Sequence, residues 1–383
     1  MMRIGLGIIL AALMATGAAH AETPDKSAAS QGAQQLIIPH IVGRYVAGTS
    51  VTRTKDSVSI AVTSTYQWPG TYIEAAFMGD EISIHLNDSA NILRILIDGK
   101  PHTTLNKPGK TIETLKSLGA GQHVIRIERL TETQDATGTF EGLFAPKGAM
   151  LAVQPRARQI EFIGDSYTAG YGNTSAKREC TQDEIWATTD TQQAFGPLTA
   201  KHYDADYQIN AYSGIGIVRN YDGVAPKRNM PLLYRSALIE DETVHAYADP
   251  EWNPAIVVIA LGGNDFSTPV HSGEKWTSED ALTADYIASY VAFVQQVRSS
   301  HSGARFILMD YGEARVGTAI TEVIKRLNAA GETRVASLDV GSGFALTGCD
   351  WHLNTTDDKR ISASLIAYID AHPGLWPNPE NAK

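Results

Sequence analysis

The chain has 383 residues, with 42 acidic against 32 basic side chains, a formal net charge of −10, 43% hydrophobic residues and 2 cysteines. That length suits about two domains, each with its own core, and so few cysteines exclude a small disulfide-stapled module. The acidic balance and the lack of a long Lys/Arg block exclude a partner bound by neutralising many phosphates, so nucleic acid is not expected.

At the N-terminus, Arg3 precedes an apolar run from Ile4 to Ala18 and then Ala19-His20-Ala21, a small-x-small site. Such a run is short for a spanning helix and has the form of a signal peptide. Residues 1–21 are therefore expected to be cleaved after Ala21, leaving no membrane span and a periplasmic or secreted protein. Residues 22–40 are polar and rich in Ala, Ser and Gln, and read as a flexible leader with order beginning near Arg44.

Over residues 41–153 short alternating or β-branched runs are punctuated by turn residues. Val58–Val62, Glu81–Leu86, Ile92–Ile97 and His123–Ile127 read as strands, separated by Pro69-Gly70, Met78-Gly79-Asp80, Asp98-Gly99 and Pro108-Gly109. Strands at this spacing without a long helical pattern predict an all-β sandwich. Its histidines His85, His102 and His123 are strand or turn residues, and Trp68 belongs to its core.

Residues 154–376 change to a β/α alternation, followed by a tail at 377–383. Ile160–Ile163, Tyr207–Ala211, Ile256–Leu261, Phe306–Met309 and Val335–Val340 read as buried strands with helical stretches between them. In the clearest helix Ser278 is the cap, Glu279 and Asp280 sit in the first turn, and Tyr286, Tyr290, Phe293 and Val297 share one face. Five alternations predict a parallel, doubly wound α/β sheet.

Functional groups in such a sheet gather at the carboxyl ends of the strands. The first strand runs into Gly164-Asp165-Ser166, where a Ser at a helix start exposes its hydroxyl and can offer its own N–H to negative charge; an ordinary cap Ser reads the same way. The second ends in Ser213-Gly214, which leaves an N–H free to face a cleft, although most such glycines only make turns. The third ends in Gly262-Gly263-Asn264-Asp265, offering a side-chain amide as a further donor or simply turn chemistry. A nucleophilic Ser needs a base. Of the eleven histidines, His352 follows the fifth strand in Gly348-Cys349-Asp350-Trp351-His352 and precedes a helix whose capping box is expected at Thr355 and Asp358.

These blocks, in this order and spacing, resemble the SGNH (GDSL-type) serine hydrolases, and within them carbohydrate esterase family two, the acetyl-xylan-type esterases with an N-terminal jelly-roll domain. The resemblance covers about residues 44–372. It implies a three-layer α/β fold with a flavodoxin-like five-stranded parallel sheet, preceded by an all-β jelly-roll sandwich. It further implies Ser166 as nucleophile, His352 as general base and then acid, and an oxyanion hole made by the Ser166 and Gly214 N–H groups and the Asn264 amide. The acid usually found three residues before the His is here Cys349. Asp350, two residues before, could reach the imidazole from an extended segment, or a backbone carbonyl could take its place.

In an oxidising compartment Cys180 and Cys349 are expected to be bridged, the alternative being two separate buried thiols. Trp351, Trp276 and Tyr167 are candidates to line a sugar-binding cleft, or else are packing residues. There is no His-Glu-x-x-His, no Cys-x-x-Cys and no Gly-x-Gly-x-x-Gly at the first strand, so no metal and no cofactor are expected. The resemblance implies a serine carbohydrate acetyl esterase that acts on acetylated polysaccharide or oligosaccharide. Alternatives are a deacetylase of envelope glycans or other short-chain esters, and a glycan-binding protein whose site has decayed.

Overall fold

The computed structural model describes residues 34–376 apart from 54–57, 147, 149, 152 and 240–245; the expected signal peptide and C-terminal tail lie outside this range. The N-terminal half contains β1 (Gln34–Ile37), β2 (His40–Val42), β3 (Tyr45–Arg53), β4 (Val58–Tyr66), β5 (Tyr72–Met78), β6 (Ile82–Asp88), β7 (Ile92–Ile97), β8 (Lys100–Asn106), β9 (Gly109–Leu115), β10 (Gln122–Arg129), β11 (Gly138–Pro146) and β12 (Met150–Leu151). They form two six-stranded sheets. One runs β3-β4-β11-β6-β9 with β1 beside β11, and the other β12-β5-β10-β7-β8 with β2 beside β5. The alternation explains the packing: Ile82, Ile84 and Leu86 of β6 and Ile125 and Ile127 of β10 point inward to a common core. The leader is shorter than its composition implies, because Gln34–Ile37 pairs antiparallel with β11 and buries Ile37.

The C-terminal half is built on β13 (Arg158–Gly164), β14 (Ala205–Ala211), β15 (Ile256–Ala260), β16 (Arg305–Asp310) and β17 (Val335–Asp339), all parallel, in the order β14-β13-β15-β16-β17. β14 and β15 are buried along their whole length, as strands covered on both faces must be. Helices α1 (Ser166–Ala169), α2 (Gln182–Thr188), α3 (Phe195–His202), α4 (Met230–Leu233), α5 (Glu279–Ser300), α6 (Ala314–Ala329) and α7 (Thr355–Ala371) complete the layers. Tyr286 and Tyr290 of α5 and Val316 and Ile320 of α6 share one core, and Phe195 of α3 and Ile361 and Leu365 of α7 the other. The β/α alternation is less regular than the sequence suggests. Between β14 and β15 the described chain is mostly irregular, with α4 its one short α-helix. The cap of α7 is Asn354, boxed with Asp357, one residue earlier than expected, because the Asn354 carboxamide accepts from both Thr356 and Asp357.

β5 is buried on both faces, unlike a sandwich strand with one solvent face, because its outer side packs on the α/β half. Tyr72 joins the core of Ile160 and Phe162. Arg156 bridges Glu74 of the sandwich and Asp206 of β14 at 3.0 and 3.1 Å. The two halves therefore share an extensive interface.

Candidate active site

At the end of β13 the Asp165 carboxylate caps α1 by accepting from the Tyr167 N–H, which leaves Ser166 as the first helical residue. At the end of the sheet the turn Cys349–Trp351 delivers His352, whose Nε2 lies 2.8 Å from Ser166 Oγ. Nδ1 faces the carbonyl oxygens of Cys349 at 3.0 Å and Asp350 at 3.1 Å. Carbonyls only accept, so Nδ1 carries the proton and Nε2 is left to accept from the Ser hydroxyl. Burial, the largest influence, pulls the imidazole pKa below its ordinary value against the opposing pull of these two carbonyls. A hydroxyl hydrogen-bonded to the unprotonated nitrogen of an oriented imidazole is an activated nucleophile.

Two successive non-glycine residues of this turn, Asp350 (φ 49°) and Trp351 (φ 58°), adopt left-handed backbone, which costs of order 1–3 kcal/mol each. The chain after the Ser helix holds them there. Gly172 C=O accepts from the Cys349 N–H at 3.2 Å, Arg178 C=O accepts from the Asp350 N–H at 2.6 Å, and Arg178 also donates to the carbonyls of Ala345 and Leu346. Cys180 is disulfide-bonded to Cys349. Gly172 (φ 55°) is required here, since a Cβ would overlap the Cys349 side chain.

Asp350 is the first correction to the expected site. Its carboxylate does not orient the imidazole; Oδ2 accepts from the Tyr171 hydroxyl at 3.0 Å, because the left-handed turn presents the carbonyls to the ring and turns the side chain away. The sequence assigns Tyr171 no role of its own, yet its ring lies 4.3 Å from that of His352 with a 34° tilt. Only its place beyond Ser166 in Gly170-Tyr171-Gly172 hinted at it.

Of the expected oxyanion donors, Ser166 and Asn264 line one cavity. Asn264 Nδ2 reaches Ile215 C=O at 2.9 Å and Asp165 Oδ2 at 3.2 Å, so the second and third blocks are joined to the first. Asp265 is structural: its carboxylate accepts from the N–H groups of Ile217, Val218 and Arg219 at 2.8–3.0 Å. Burial raises its pKa to about 6, and burial raises Asp165 to about 7, with Glu313 and Asp265 adding to the latter. Gly214 (φ 82°) directly precedes Ile215, its carbonyl accepts from the Tyr221 N–H at 2.9 Å, and its N–H donates to no group among the described residues.

Ser166, Asn264 and His352 open into a cavity of about 210 Å³ walled by Tyr167, Leu261, Met309, Tyr311 and Val316. That is below the range of ~300–1,000 Å³ usual for drug-sized ligands. Tyr167 packs edge-on to His352 at 5.5 Å, and Trp351 at 56% and Tyr221 at 57% exposure flank the mouth. Trp276 is the second correction: it does not line this cavity, because its indole N–H donates to Asp285 on α5 at 2.9 Å.

Residues 57–155 match the family described as carbohydrate esterase 2 N-terminal, and residues 162–374 match the GDSL-like lipase/acylhydrolase family. The chain is 44% identical over 318 residues to an acetylxylan esterase / glucomannan deacetylase of Cellvibrio japonicus, covering 82% of this chain and 88% of that protein. Its fold resembles, with a TM-score of 0.81 and 40% identity over 90% of this chain and 100% of the other, a carbohydrate esterase whose active site is described as displaying divergent catalytic and non-catalytic binding functions. A family two carbohydrate esterase from Clostridium thermocellum in complex with cellohexaose shares the fold at a TM-score of 0.72 and 24% identity, over 88% of this chain and 100% of that one.

Proposed function

The chain belongs to the family two carbohydrate esterases within the GDSL-like acylhydrolases, and from that premise we propose that it is an exported serine esterase removing O-acetyl groups from xylan- or glucomannan-type polysaccharides through an acyl-enzyme. The observation that carries this reading is the 2.8 Å contact between the Ser166 hydroxyl and the His352 imidazole, side chains 186 positions apart.

Ser166 Oγ attacks the acetyl carbonyl carbon while His352 Nε2 takes the hydroxyl proton. The resulting imidazolium is stabilised through Nδ1–H by the Cys349 and Asp350 carbonyls. The Ser166 and Gly214 N–H groups and the Asn264 amide receive the oxyanion; for this Asn264 shares the hydrogen it directs at Asp165. Collapse breaks the ester C–O bond, and His352 gives its proton to the departing sugar oxygen, which leaves as a hydroxyl. Water activated by His352 then cleaves the acetyl-Ser166 ester and regenerates the enzyme. The small cavity walled by Tyr311 and Val316 favours a short acyl group, and the exposed rings of Trp351 and Tyr221 suit the apolar faces of pyranoses at its mouth. Export is supported by Arg3 and the apolar run Ile4–Ala18, and suits a chain whose His turn carries a disulfide.

The test is acetate release from acetylated xylan and acetylated glucomannan. The wild type releases acetate, Ser166→Ala loses at least about 10³-fold in kcat, and acetyl esters of a chromogenic alcohol are preferred over butyryl esters by roughly tenfold or more. Undiminished turnover in Ser166→Ala would remove the nucleophile from this reading. Cleavage of small acetates with none of either polysaccharide would remove the substrate class.

A further inference from the structure

We infer that Gln134, a residue of the β-sandwich, is a positioning residue that aims the Gly214 N–H into the oxyanion site of the α/β half. The inference rests on the reading of Gly214 as an oxyanion donor. Gln134 Nε2 donates to the Ser213 carbonyl at 3.2 Å. The Ser213 C=O and the Gly214 N–H belong to one trans peptide and point in opposite directions. Holding the carbonyl toward the sandwich therefore turns the N–H away from it.

The neighbouring peptides are fixed in the same manner. Gly214 C=O accepts from the Tyr221 N–H at 2.9 Å and Ile215 C=O from Asn264 at 2.9 Å, so three consecutive carbonyls are engaged while the Gly214 N–H stays available. Glu132 adds to the grip by accepting from the Ser213 N–H at 2.7 Å and from its hydroxyl. A glycine with φ 82° would otherwise be free to rotate this peptide.

Gln134 can serve as a fixed post because its own loop is rooted in the sandwich. Thr131 and Thr133 hydroxyls donate to Asn91 Oδ1 at 3.0 and 2.8 Å, Gln67 donates to the Gln134 carbonyl at 3.1 Å, and Gln134 Nε2 also reaches Glu132 Oε1 at 3.1 Å. The bond to Ser213 further draws electron density toward the carbonyl and makes the Gly214 N–H a stronger donor. The sandwich thus completes the catalytic centre without touching the reacting atoms.

The experiment compares Gln134→Ala, and Gln134→Met as a variant of similar length without donors, with the wild type in the full chain. Expected is a kcat lower by about 10- to 100-fold, below the loss seen when an oxyanion donor is deleted outright, with KM within about twofold. Affinity for methylboronic acid, which adds to Ser166 as a tetrahedral anion, should weaken by a similar factor. Wild-type kcat in both variants, a change confined to KM, or a fall in kcat without a matching loss of boronate affinity would overturn the inference. Ser166→Ala is assayed alongside. If it is inactive while the Gln134 variants turn over normally, the role of Gln134 alone falls; if it is active, the reading of the site falls first.

Discussion

At position 350 a carboxylate stands two residues before the imidazole and yet faces Tyr171 instead of the ring. Asp350→Ala should therefore cost no more than about tenfold in kcat, against the roughly 10⁴-fold typical when a triad acid is neutralised; a loss of the larger size would return the carboxylate to the machinery. The acid limb of kcat/KM tests the imbedded imidazole itself. His352 must be neutral to accept a proton, and burial lowers its pKa, so activity should persist below the ordinary value of about 6.5 and fall only as pH drops through a lower midpoint. A midpoint above that value would contradict the environment described. At this scale Ser166, Asn264 and His352, which line one cavity, were legible because their blocks lie beyond recognisable strands. Tyr171, Gln134 and the rotated Asp350 were not, since they depend on a left-handed turn and on contacts between segments remote in sequence. Trp276 misled for the opposite reason, being near Asn264 along the chain but held by Asp285 away from the cavity.

Among the elements, α3 and α7 are joined by buried polar contacts, Thr199 donating to Ser362 at 3.0 Å and Asp358 reaching the start of α3. Asp358 of α7 accepts from the Phe195 N–H at the start of α3 at 3.1 Å and from Asn173 Nδ2 at 3.0 Å. Asp358→Ala would leave the Phe195 N–H buried without this acceptor and Asn173 Nδ2 with only the Asp190 carbonyl at 3.2 Å, and a loss of about 1–3 kcal/mol in denaturant unfolding is expected. Burial, chiefly, raises this carboxyl to about 8, with Asp357 and Asp190 adding to it. A pKa raised on folding gives stability that is full below the unfolded value and is lost as pH rises through the folded one. The advantage of wild type over Asp358→Ala should accordingly narrow from about pH 4 to about pH 8; a widening gap would refute the assignment. The five strands and the long helices announced themselves through burial periodicity. The irregular stretch after β14 did not, because its shape is set by Asp265 and Asn220 bonding to backbone groups rather than by a repeating pattern.

Across the whole molecule, Arg44 crosses from the sandwich into the α/β half. Its guanidinium lies between the rings of Tyr234 and Tyr247, each at 4.2 Å, and pairs with Glu161 at 3.3 Å, both partners being fully buried. Burial would push the Glu161 pKa up, but His301 and Arg44 hold it down to about 2. Arg44→Ala leaves that carboxylate short of a cation and should destabilise by about 3–5 kcal/mol. Because the pair spans both halves, calorimetry on the wild type is expected to show one unfolding transition; two separated transitions would mean the halves are energetically independent. The two-part architecture itself was plain from the change in sequence pattern near residue 158, whereas this junction was not, since a lone Arg before a strand carries no local signature.

The Cys180–Cys349 link also bears on how the enzyme must be made and kept. In a host that maintains free thiols, the His352 turn would rely on a few hydrogen bonds alone to resist its own backbone strain. Batches produced that way, or stored with dithiothreitol, would stay soluble and yet show reduced specific activity, recoverable by air oxidation.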